Sequence, residues 1–210
     1  MLYCYFIARS QPEIEPLSFR TLSAASVDLV REQELVAATR RGPVAARSTL
    51  ELMLEYSAVL AAAWKQATVL PLRFGTSFRS ETAVLRLLAE RRKDLLGALD
   101  RLAGKAEMSL RVGLAGQSAS RMVEEIHEIC RPLDSRFEVR TNPAGETVLE
   151  IVHLVERRSA AEYRQRLTSH AIEVAGPRPP FHFLPQFLRL PVGRERSARR
   201  GRDASSQATG

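Results

Sequence analysis

Residues 68–78, TVLPLRFGTSF, form the stretch around which the rest of the chain is organised. The apolar run 69–72 predicts a short buried strand, and Pro71 restricts this strand to a sheet edge or a strand end because proline lacks a backbone N–H. Gly75 predicts a turn, since glycine adopts a positive φ without strain. Arg73 is the only charged residue of the stretch. It is expected either to form an ion pair that locks the strand to the turn, which is the favoured interpretation, or to contact a partner.

The composition is typical of a globular chain with dispersed surface charge. Of the 210 residues, 45% are hydrophobic and 26% are charged, enough for one large core or two small ones. The net charge is +7, and the arginines and acidic residues of 193–210 account for +3 of it. The remaining charge is too evenly spread to predict a phosphate-binding face. Residues 193–210 contain almost no apolar side chains, so we expect them to be disordered.

No secretion or membrane segment is predicted. Residues 1–15 lack a basic start and have an apolar run of only about seven residues, too short for a signal peptide. No run of 18 apolar residues occurs in the sequence. Cys4 and Cys130 lie outside any CxxC pattern, and we expect both to be buried thiols in a reducing compartment. The protein is therefore expected to be soluble and cytoplasmic.

Residues 1–78 are predicted to form an N-terminal α+β domain. Residues 2–9, rich in aromatic and β-branched side chains, predict a central strand. Two further short strands are expected at 17–22 and 25–30, and a short helix with a loop is expected within 31–47.

The first well-defined helix of this domain is predicted from Ser48 to about Lys65. Ser48 and Glu51 have the spacing of a capping box. Apolar residues then recur at helical spacing, and we expect that face to be buried. It contains Leu50, Met53, Leu54, Ser57, Leu60 and Trp64.

Residues 79–176 are predicted to form a helical extension followed by a ferredoxin-like domain. One helix of about 24 residues is expected between the N-cap Ser80 and Gly104, extending away to pack against something else. Its apolar stripe contains Val84, Leu85, Leu88, Leu95, Leu99 and Leu102. The elements expected after it are a strand at 107–114, a helix at 118–133, strands at 136–141 and 147–157, a helix from 159 to about 170, and a strand at 171–174 that ends at Gly176 and Pro177. This order is that of the split βαβ, ferredoxin-like fold.

Residues 177–192 are predicted to form a docking tail. The segment 177–191, PRPPFHFLPQFLRLP, has five prolines, which disfavour a helix or a central strand. Its three phenylalanines make it too apolar to lie free in water. We expect an extended segment that lies in a groove, such as one between two domains.

No motif of catalysis or cofactor binding is present. The sequence contains no GxSxG, HExxH, Walker A or GxGxxG pattern. His127 and Cys130 have metal-ligand spacing on one helix, but no second pair follows, and an ordinary half-buried pair is the favoured interpretation. Gly113 and Gly116 follow a strand without a lysine, a weak sign of an anion site. We therefore expect no enzyme activity, cofactor or metal.

Four segments in family order resemble the gas vesicle accessory proteins of the GvpF/GvpL family. They are TVLPLRFGTSF at 68–78, GKAEMSLRV at 104–112, LEIVHLVER at 149–157 and GPRPPFHF at 176–183. The opening strand LYCYFIAR is also similar to the start of that family. Met108 and Arg178 stand where the family usually has tryptophan.

The resemblance implies a fold and a function. The fold would be two α+β domains, the second a modified ferredoxin-like domain with a helical extension. The function would be a non-enzymatic part in gas vesicle formation, at the vesicle, through association with the small hydrophobic shell protein and other accessory proteins. The motif residues expected to form structural or interface contacts are Leu70, Pro71, Arg73, Phe74, Gly75, Gly176, Pro177, Pro179, Pro180 and Phe181. Among the aromatic residues, Phe74, Phe78, Phe181 and Phe183 are expected to anchor a core or a domain interface.

A nucleic-acid-binding ferredoxin-like domain is the alternative. The sequence pI of about 10.1 and the predicted element order favour it. Against it, strand 107–114 lacks the aromatic residues on which RNA bases stack in such domains.

Overall fold

The computed structural model describes residues 1–11, 27–42, 49–141, 145–167 and 172–189, and these form two antiparallel sheets with helices packed against them. The strands are β1 (Leu2–Arg9), β2 (Asp28–Glu32), β3 (Leu35–Arg41), β4 (Val69–Pro71), β5 (Ser77–Phe78), β6 (Lys105–Gly113), β7 (Asp134–Thr141), β8 (Thr147–Glu156) and β9 (Glu173–Arg178). The α-helices are α1 (Thr49–Gln66), α2 (Glu81–Glu90), α3 (Arg92–Leu102), α4 (Ala119–Cys130), α5 (Ala160–Leu167) and α6 (Gln186–Arg189). Single turns of 3₁₀ helix lie at Arg157–Ser159 and Phe181–Phe183.

The first sheet is built around β1, the predicted central strand. Its order is β2-β3-β1-β4, and β5 also pairs with β1. The register between β1 and β3 shifts between Cys4 and Phe6. Cys4 and Ile7 consequently face one side of the sheet, whereas Phe6 and Ala8 face the other. The short strand β4 ends at Pro71 and lies at the end of the strand path, so the prediction made from Pro71 is confirmed.

Helices cover both faces of the first sheet. Helix α1 buries Val59, Leu60 and Ala63 against the face that contains Phe6 and Ala8. Helices α2 and α3 cover the opposite face with the predicted apolar stripe. Its buried members are Val84, Leu88, Leu95, Leu99 and Leu102.

The second sheet has the order β7-β8-β6-β9, with every neighbouring pair antiparallel. In chain order this is 2-3-1-4 with helices after its first and third strands, which confirms the predicted ferredoxin-like arrangement. Helices α4 and α5 pack on one face and enclose a core that includes Met108, Leu149, Ile151 and Tyr163.

The other face of the second sheet meets the first half of the chain. Leu154 belongs to the same buried cluster as the stripe of α2 and α3, and Val152 packs against that cluster. Phe183, Leu184 and Leu188, near the end of the described chain, complete it. The boundaries at residues 78, 176 and 192 stay a prediction.

Several predicted elements are wrong. In place of a short helix, residues 35–41 form strand β3, because pairing with β1 and β2 on both sides overrides local propensity. The single long helix is two helices, α2 and α3, joined at Arg91. They do not extend away but pack on the first sheet. The strand expected to end at Gly176 and Pro177 continues to Arg178 as β9.

Two further corrections concern faces and ends. Leu50, Met53 and Leu54 of α1 are 66%, 49% and 52% exposed, although the periodicity predicted them to be buried. The segment expected to exclude a helix forms the short helix α6. The predicted strand 17–22, the cap Ser48 and the tail 193–210 lie outside the described residues. Within the described part, no helix is both long and apolar enough to cross a membrane.

Candidate interaction surface

The stretch 69–78 runs along the edge of β1 as two short strands separated by a turn. Leu70 pairs with Ile7, and Pro71 pairs with Phe6. The Leu72 N–H then donates to the Tyr5 carbonyl at 2.9 Å, which continues the pairing past the proline.

A tight turn at residues 73–76 follows β4. The Thr76 N–H donates to the Arg73 carbonyl at 2.9 Å, and the Thr76 hydroxyl donates to the same oxygen at 2.6 Å. Gly75 has a φ of +83°, so the predicted glycine turn is confirmed. The Cys4 N–H donates to the Thr76 carbonyl at 3.0 Å, which returns the chain to β1. The turn therefore bulges outward from an otherwise regular edge.

Arg73 and Phe74 project from this turn into solvent. In the described part of the chain no carboxylate forms an ion pair with Arg73, so the ion-pair interpretation stays a prediction. Among the described residues, the turn is held by the backbone and by Thr76. Phe74 is 38% exposed and contacts Tyr56 of α1 edge-on, with ring centroids 5.6 Å apart. It is thus not a core anchor, whereas Phe78 is buried as predicted.

A cavity of about 150 Å³ lies behind the turn, between β1 and α1. Its walls include Tyr3, Leu52, Tyr56 and Phe74. Because these side chains are mostly apolar and the cavity opens beside an exposed aromatic ring, it suits an apolar side chain from another molecule.

A buried polar cluster lines the same cavity. Glu55 of α1 is 2% exposed. It accepts hydrogen bonds from the Tyr5 hydroxyl at 2.6 Å and from the Arg40 guanidinium at 2.7 Å. Burial, with the neighbouring Glu55 carboxylate, raises the pKa of Tyr5, so its phenol stays a neutral donor. The cluster fixes α1 against the sheet and thereby positions the ring of Tyr56 beneath Phe74.

The outer side of α1 exposes three apolar residues. Leu50, Met53 and Leu54 have i, i+3 and i+4 spacing and form what we call the α1 patch. The residues that face inward include Glu55, Val59, Leu60 and Ala63. The helix thus buries a carboxylate and exposes leucines, an arrangement that stability alone does not favour.

The second predicted motif, GPRPPFHF, begins inside the second sheet. Strand β9 pairs with β6, and the register shifts between Glu107 and Ser109. Gly176, at this shift, has a φ of +116°. A Cβ there would lie 2.7 Å from the Glu107 carbonyl oxygen, so only glycine fits.

A buried carboxylate anchors the residues that follow. Glu107 is 0% exposed, and its Oε1 accepts from the Arg178 Nε at 2.9 Å. The His182 N–H donates to Glu107 Oε2 at 2.8 Å, and the His182 Nδ1 lies 2.9 Å from Oε1. Arg178 also donates to the Ser109 hydroxyl. Arg178, which stands where tryptophan is usual in the resembled family, therefore holds the tail by charge.

The tail then crosses to the first sheet. Phe181 packs on the cluster that contains Val69, and Phe183 is buried with Leu70 and Leu72. The two motifs consequently meet through their apolar residues.

A family model described as "Gas vesicle synthesis protein GvpL/GvpF" matches residues 1–121, more than half of the chain. The chain belongs to the GvpL/GvpF family. This membership gives it a role related to gas vesicles. A search among curated proteins found no match.

Two crystal structures of GvpL/GvpF family proteins share the fold. Gas vesicle protein GvpF from Anabaena sp. PCC7120 matches with a TM-score of 0.69 at 15% identity, over 87% of this chain and 94% of that one. Gas vesicle protein GvpF from Microcystis aeruginosa matches with a TM-score of 0.71 at 14% identity, over 87% and 98%. At such identities the likeness shows the α+β fold and no more.

The ten residues predicted from the GvpL/GvpF motifs divide into three groups. Leu70, Pro71, Pro179 and Pro180 are buried; Gly176 and Phe181 are half-buried; Arg73, Phe74, Gly75 and Pro177 are exposed. Of the exposed residues, only Arg73 and Phe74 carry a side chain able to make extensive contacts with a partner. Most motif residues therefore contribute to packing, and Arg73 and Phe74 are the two that are available to a partner.

On the face of the second sheet away from α4 and α5, the part that the first half of the chain leaves uncovered does not favour the nucleic-acid alternative. A groove of about 630 Å³ there is lined by four arginines and three glutamates, among other residues. Glu150 pairs with both Arg111 and Arg140 at 3.3 Å, and Glu107 pairs with Arg178. Arginines that are neutralised in this way attract phosphate weakly. Strands β6 and β8 also carry no phenylalanine, tyrosine or tryptophan, and the only histidine of the two strands, His153, is buried.

Among the described residues, His127 and Cys130 belong to no group of three or more potential metal ligands. The His127 Nε2 lies 2.9 Å from the Ser135 hydroxyl, and Cys130 is buried beside Tyr163. Both cysteines are free thiols, as predicted.

Sequence reasoning missed the buried carboxylates Glu55 and Glu107. Each lies in an element whose apolar residues drew attention to a different face. For Glu55 the signal was an acidic residue within a long apolar stretch, which has to find a cationic partner if its helix is buried on that side. Glu107 alternates with Lys105, Ser109 and Arg111, so its strand gave no such signal.

Proposed function

We propose that this protein assists gas vesicle assembly by binding the small hydrophobic shell protein and other accessory proteins, without catalysing a reaction. It would act in the cytoplasm and at the vesicle. Membership of the GvpL/GvpF family supports a role in gas vesicle formation. The observation that carries the binding role is the α1 patch, which exposes Leu50, Met53 and Leu54 on the helix against which Phe74 packs.

The α1 patch suits an apolar partner that must be kept from aggregating. Leucine and methionine side chains adapt to the contours of another apolar surface. Arg73 and Phe74 at the nearby turn offer a charge and an aromatic ring, two residue types that often dominate binding energy. Covering a shell subunit's apolar surface before assembly would limit its self-association.

Complementation of a vesicle-forming host that lacks its own copy of the gene tests the proposal. The double variant Leu50→Glu, Leu54→Glu should give few or malformed vesicles under the electron microscope, because it puts two charges into the apolar contact. Since both side chains are exposed, the melting temperature of the purified variant should stay within a few degrees of the parent. Arg73→Ala should likewise reduce vesicle number while leaving stability unchanged.

The double variant Ala161→Glu, Gln165→Glu is the matched control, because both residues are exposed on α5 and have the same i, i+4 spacing. It should support normal vesicles. The proposal would be contradicted by normal vesicles in the α1 double variant. Equal defects in the α1 double variant and the control would contradict it as well.

A further inference from the structure

Strand β7 is an exposed edge of the second sheet. It pairs with β8 over eight residues without a bulge. Within the described residues, no strand pairs with its outer edge. Seven of its eight residues are exposed, and the remaining one, Ser135, is half-buried. An edge of this length offers a full row of backbone donors and acceptors to another strand.

The side chains of β7 do little to block such pairing. The strand contains no proline or lysine, residues that often protect an edge. Its four charged side chains, Asp134, Arg136, Glu138 and Arg140, alternate in sign, so they do not repel a strand with matching charges. On the face that carries Ser135, Phe137 is 51% exposed and Val139 is 48% exposed. Leu133, immediately before the strand, is 53% exposed. An apolar stripe on a free edge is a pairing surface for a partner with a similar stripe.

We propose that β7 pairs antiparallel with β7 of a second copy of this chain, around a two-fold axis at Phe137. The two Phe137 rings then lie opposite each other. On the opposite face, Arg136 lies opposite Glu138 of the second copy, and Asp134 lies opposite Arg140 of the second copy. Symmetry repeats each pair, so four opposite-charge pairs flank the aromatic pair.

The charges select this register over its neighbours. A slip of one residue would place apolar side chains opposite charged ones on the other face. A slip that brings Glu138 onto the axis pairs two glutamates there and sets Arg136 against Arg140. A slip the other way pairs two copies of Arg136 and sets Asp134 against Glu138. The register centred on Phe137 avoids every like-charge contact and pairs all four charged residues of the strand.

Arg136 and Asp134 are available for these contacts. The Arg136 guanidinium lies 5.5 Å above the Phe183 ring. The Asp134 Oδ1 accepts from the Ser135 N–H at 2.8 Å. Neither forms an ion pair with another described residue, whereas Glu138 and Arg140 pair with each other within the chain. Arg136 and Asp134 therefore each offer a charge without an ion-pair partner among the described residues. In the symmetric dimer these two charges face Glu138 and Arg140 of the second copy.

The assembly would be an eight-stranded sheet with both sets of α4 and α5 on one face. Two paired strands bury less surface than a standard stable interface, so we expect a dissociation constant in the micromolar range. Sedimentation of the purified full chain at increasing concentration should show a monomer converting to a dimer. The measurement needs no shell protein, so it is independent of the proposed function.

Charge variants test the register. Arg136→Glu alone sets two glutamates against each other in both pairs, and Glu138→Arg alone sets two arginines against each other. Each variant should remain monomeric at concentrations where the parent dimerises, a loss of tenfold or more in affinity. A one-to-one mixture of the two should form a dimer again, because both cross-pairs then become opposite. Restoration in the mixture also proves that each variant is folded.

A cysteine pair tests the axis directly. Phe137→Cys places two thiols at the two-fold axis, where antiparallel Cα atoms lie about 4.5–5.5 Å apart, within disulfide reach. It should cross-link on mild oxidation, whereas Glu138→Cys should not, because its copies are offset by two residues. Cys4 and Cys130 are buried and do not compete. A parent that stays monomeric, dimers in both single charge variants, or stronger cross-linking at Glu138→Cys would each overturn the proposal. If the parent stays monomeric, the expected partner of the β7 edge becomes a strand from another protein.

Discussion

His153 is a buried histidine at the centre of β8. Its Nδ1 lies 2.7 Å from the Tyr163 hydroxyl, and its ring centroid is 4.9 Å from that of His127. Burial, with a smaller contribution from the charge on His127, lowers the pKa of His153 to about 3. The folded protein thus holds a neutral imidazole at this position between pH 5 and pH 7.

Stability should therefore fall as the pH drops below that of an unfolded histidine. Between about pH 6.5 and pH 3 the unfolded chain binds a proton at this position and the folded chain does not, so acid favours unfolding. Above about pH 6.5 this histidine is neutral in both the folded and the unfolded chain, so it no longer changes the free energy of unfolding with pH. From pH 7 to pH 5, wild type should lose about 2 kcal/mol more unfolding free energy than His153→Gln, which does not titrate. Urea unfolding at both pH values measures this, and equal losses would contradict a buried neutral His153.

At the scale of elements, the register shift in β9 fixes the path of the chain into the tail. Gly176→Ala should cost about 2 kcal/mol or more, because it strains a backbone at φ +116° and drives a methyl group into the Glu107 carbonyl. Gly97→Ala is the matched control, since Gly97 lies within α3 with no atom within 4 Å of an added Cβ. It should stabilise by about 0.5–1 kcal/mol. Thermal unfolding that moves both variants in the same direction would be inconsistent with this geometry.

The elements also show what could be predicted from the sequence. Strand β1 and the stripe of α2 and α3 followed from composition and periodicity, because their apolar residues face a core. The four-strand order of the second sheet followed from alternation and turns. The turn at Arg73 and Phe74 followed from Gly75, but the contacts of Arg73 do not follow from the local sequence, since an ion pair depends on which carboxylate the fold brings near.

Two errors have one physical cause. In α1 the periodicity of Leu50, Met53 and Leu54 predicted the buried face, but burial of Glu55 with Arg40 and Tyr5 turned that face outward. In β3, neighbours on both sides converted a helical composition into a strand. Both outcomes depend on residues distant in sequence, which local patterns do not encode.

At the scale of the whole molecule, contacts around Trp64 and around Phe183 connect the two halves of the described chain. The Arg157 guanidinium donates to the Trp64 carbonyl at 2.8 Å and lies 4.0 Å above the Trp64 ring. On the other side, Phe183 lies in the cluster shared by Leu154 and the stripe of α2 and α3. Arg101 also donates to the Phe183 carbonyl. The tail and the end of α1 thus join the two halves at separate places.

This architecture predicts that the two sheets unfold together. Trp64 is the single tryptophan of the chain and lies at the junction, so its fluorescence reports the junction while circular dichroism reports the sheets and helices. Phe183→Ala should lower stability by about 3–5 kcal/mol, as expected for a fully buried phenylalanine, and should shift both transitions equally. Phe187→Ala, at a partly buried ring that Arg91 covers at 5.1 Å, should cost clearly less. Separate fluorescence and dichroism transitions in the wild type would show that the halves unfold independently and that the tail does not couple them.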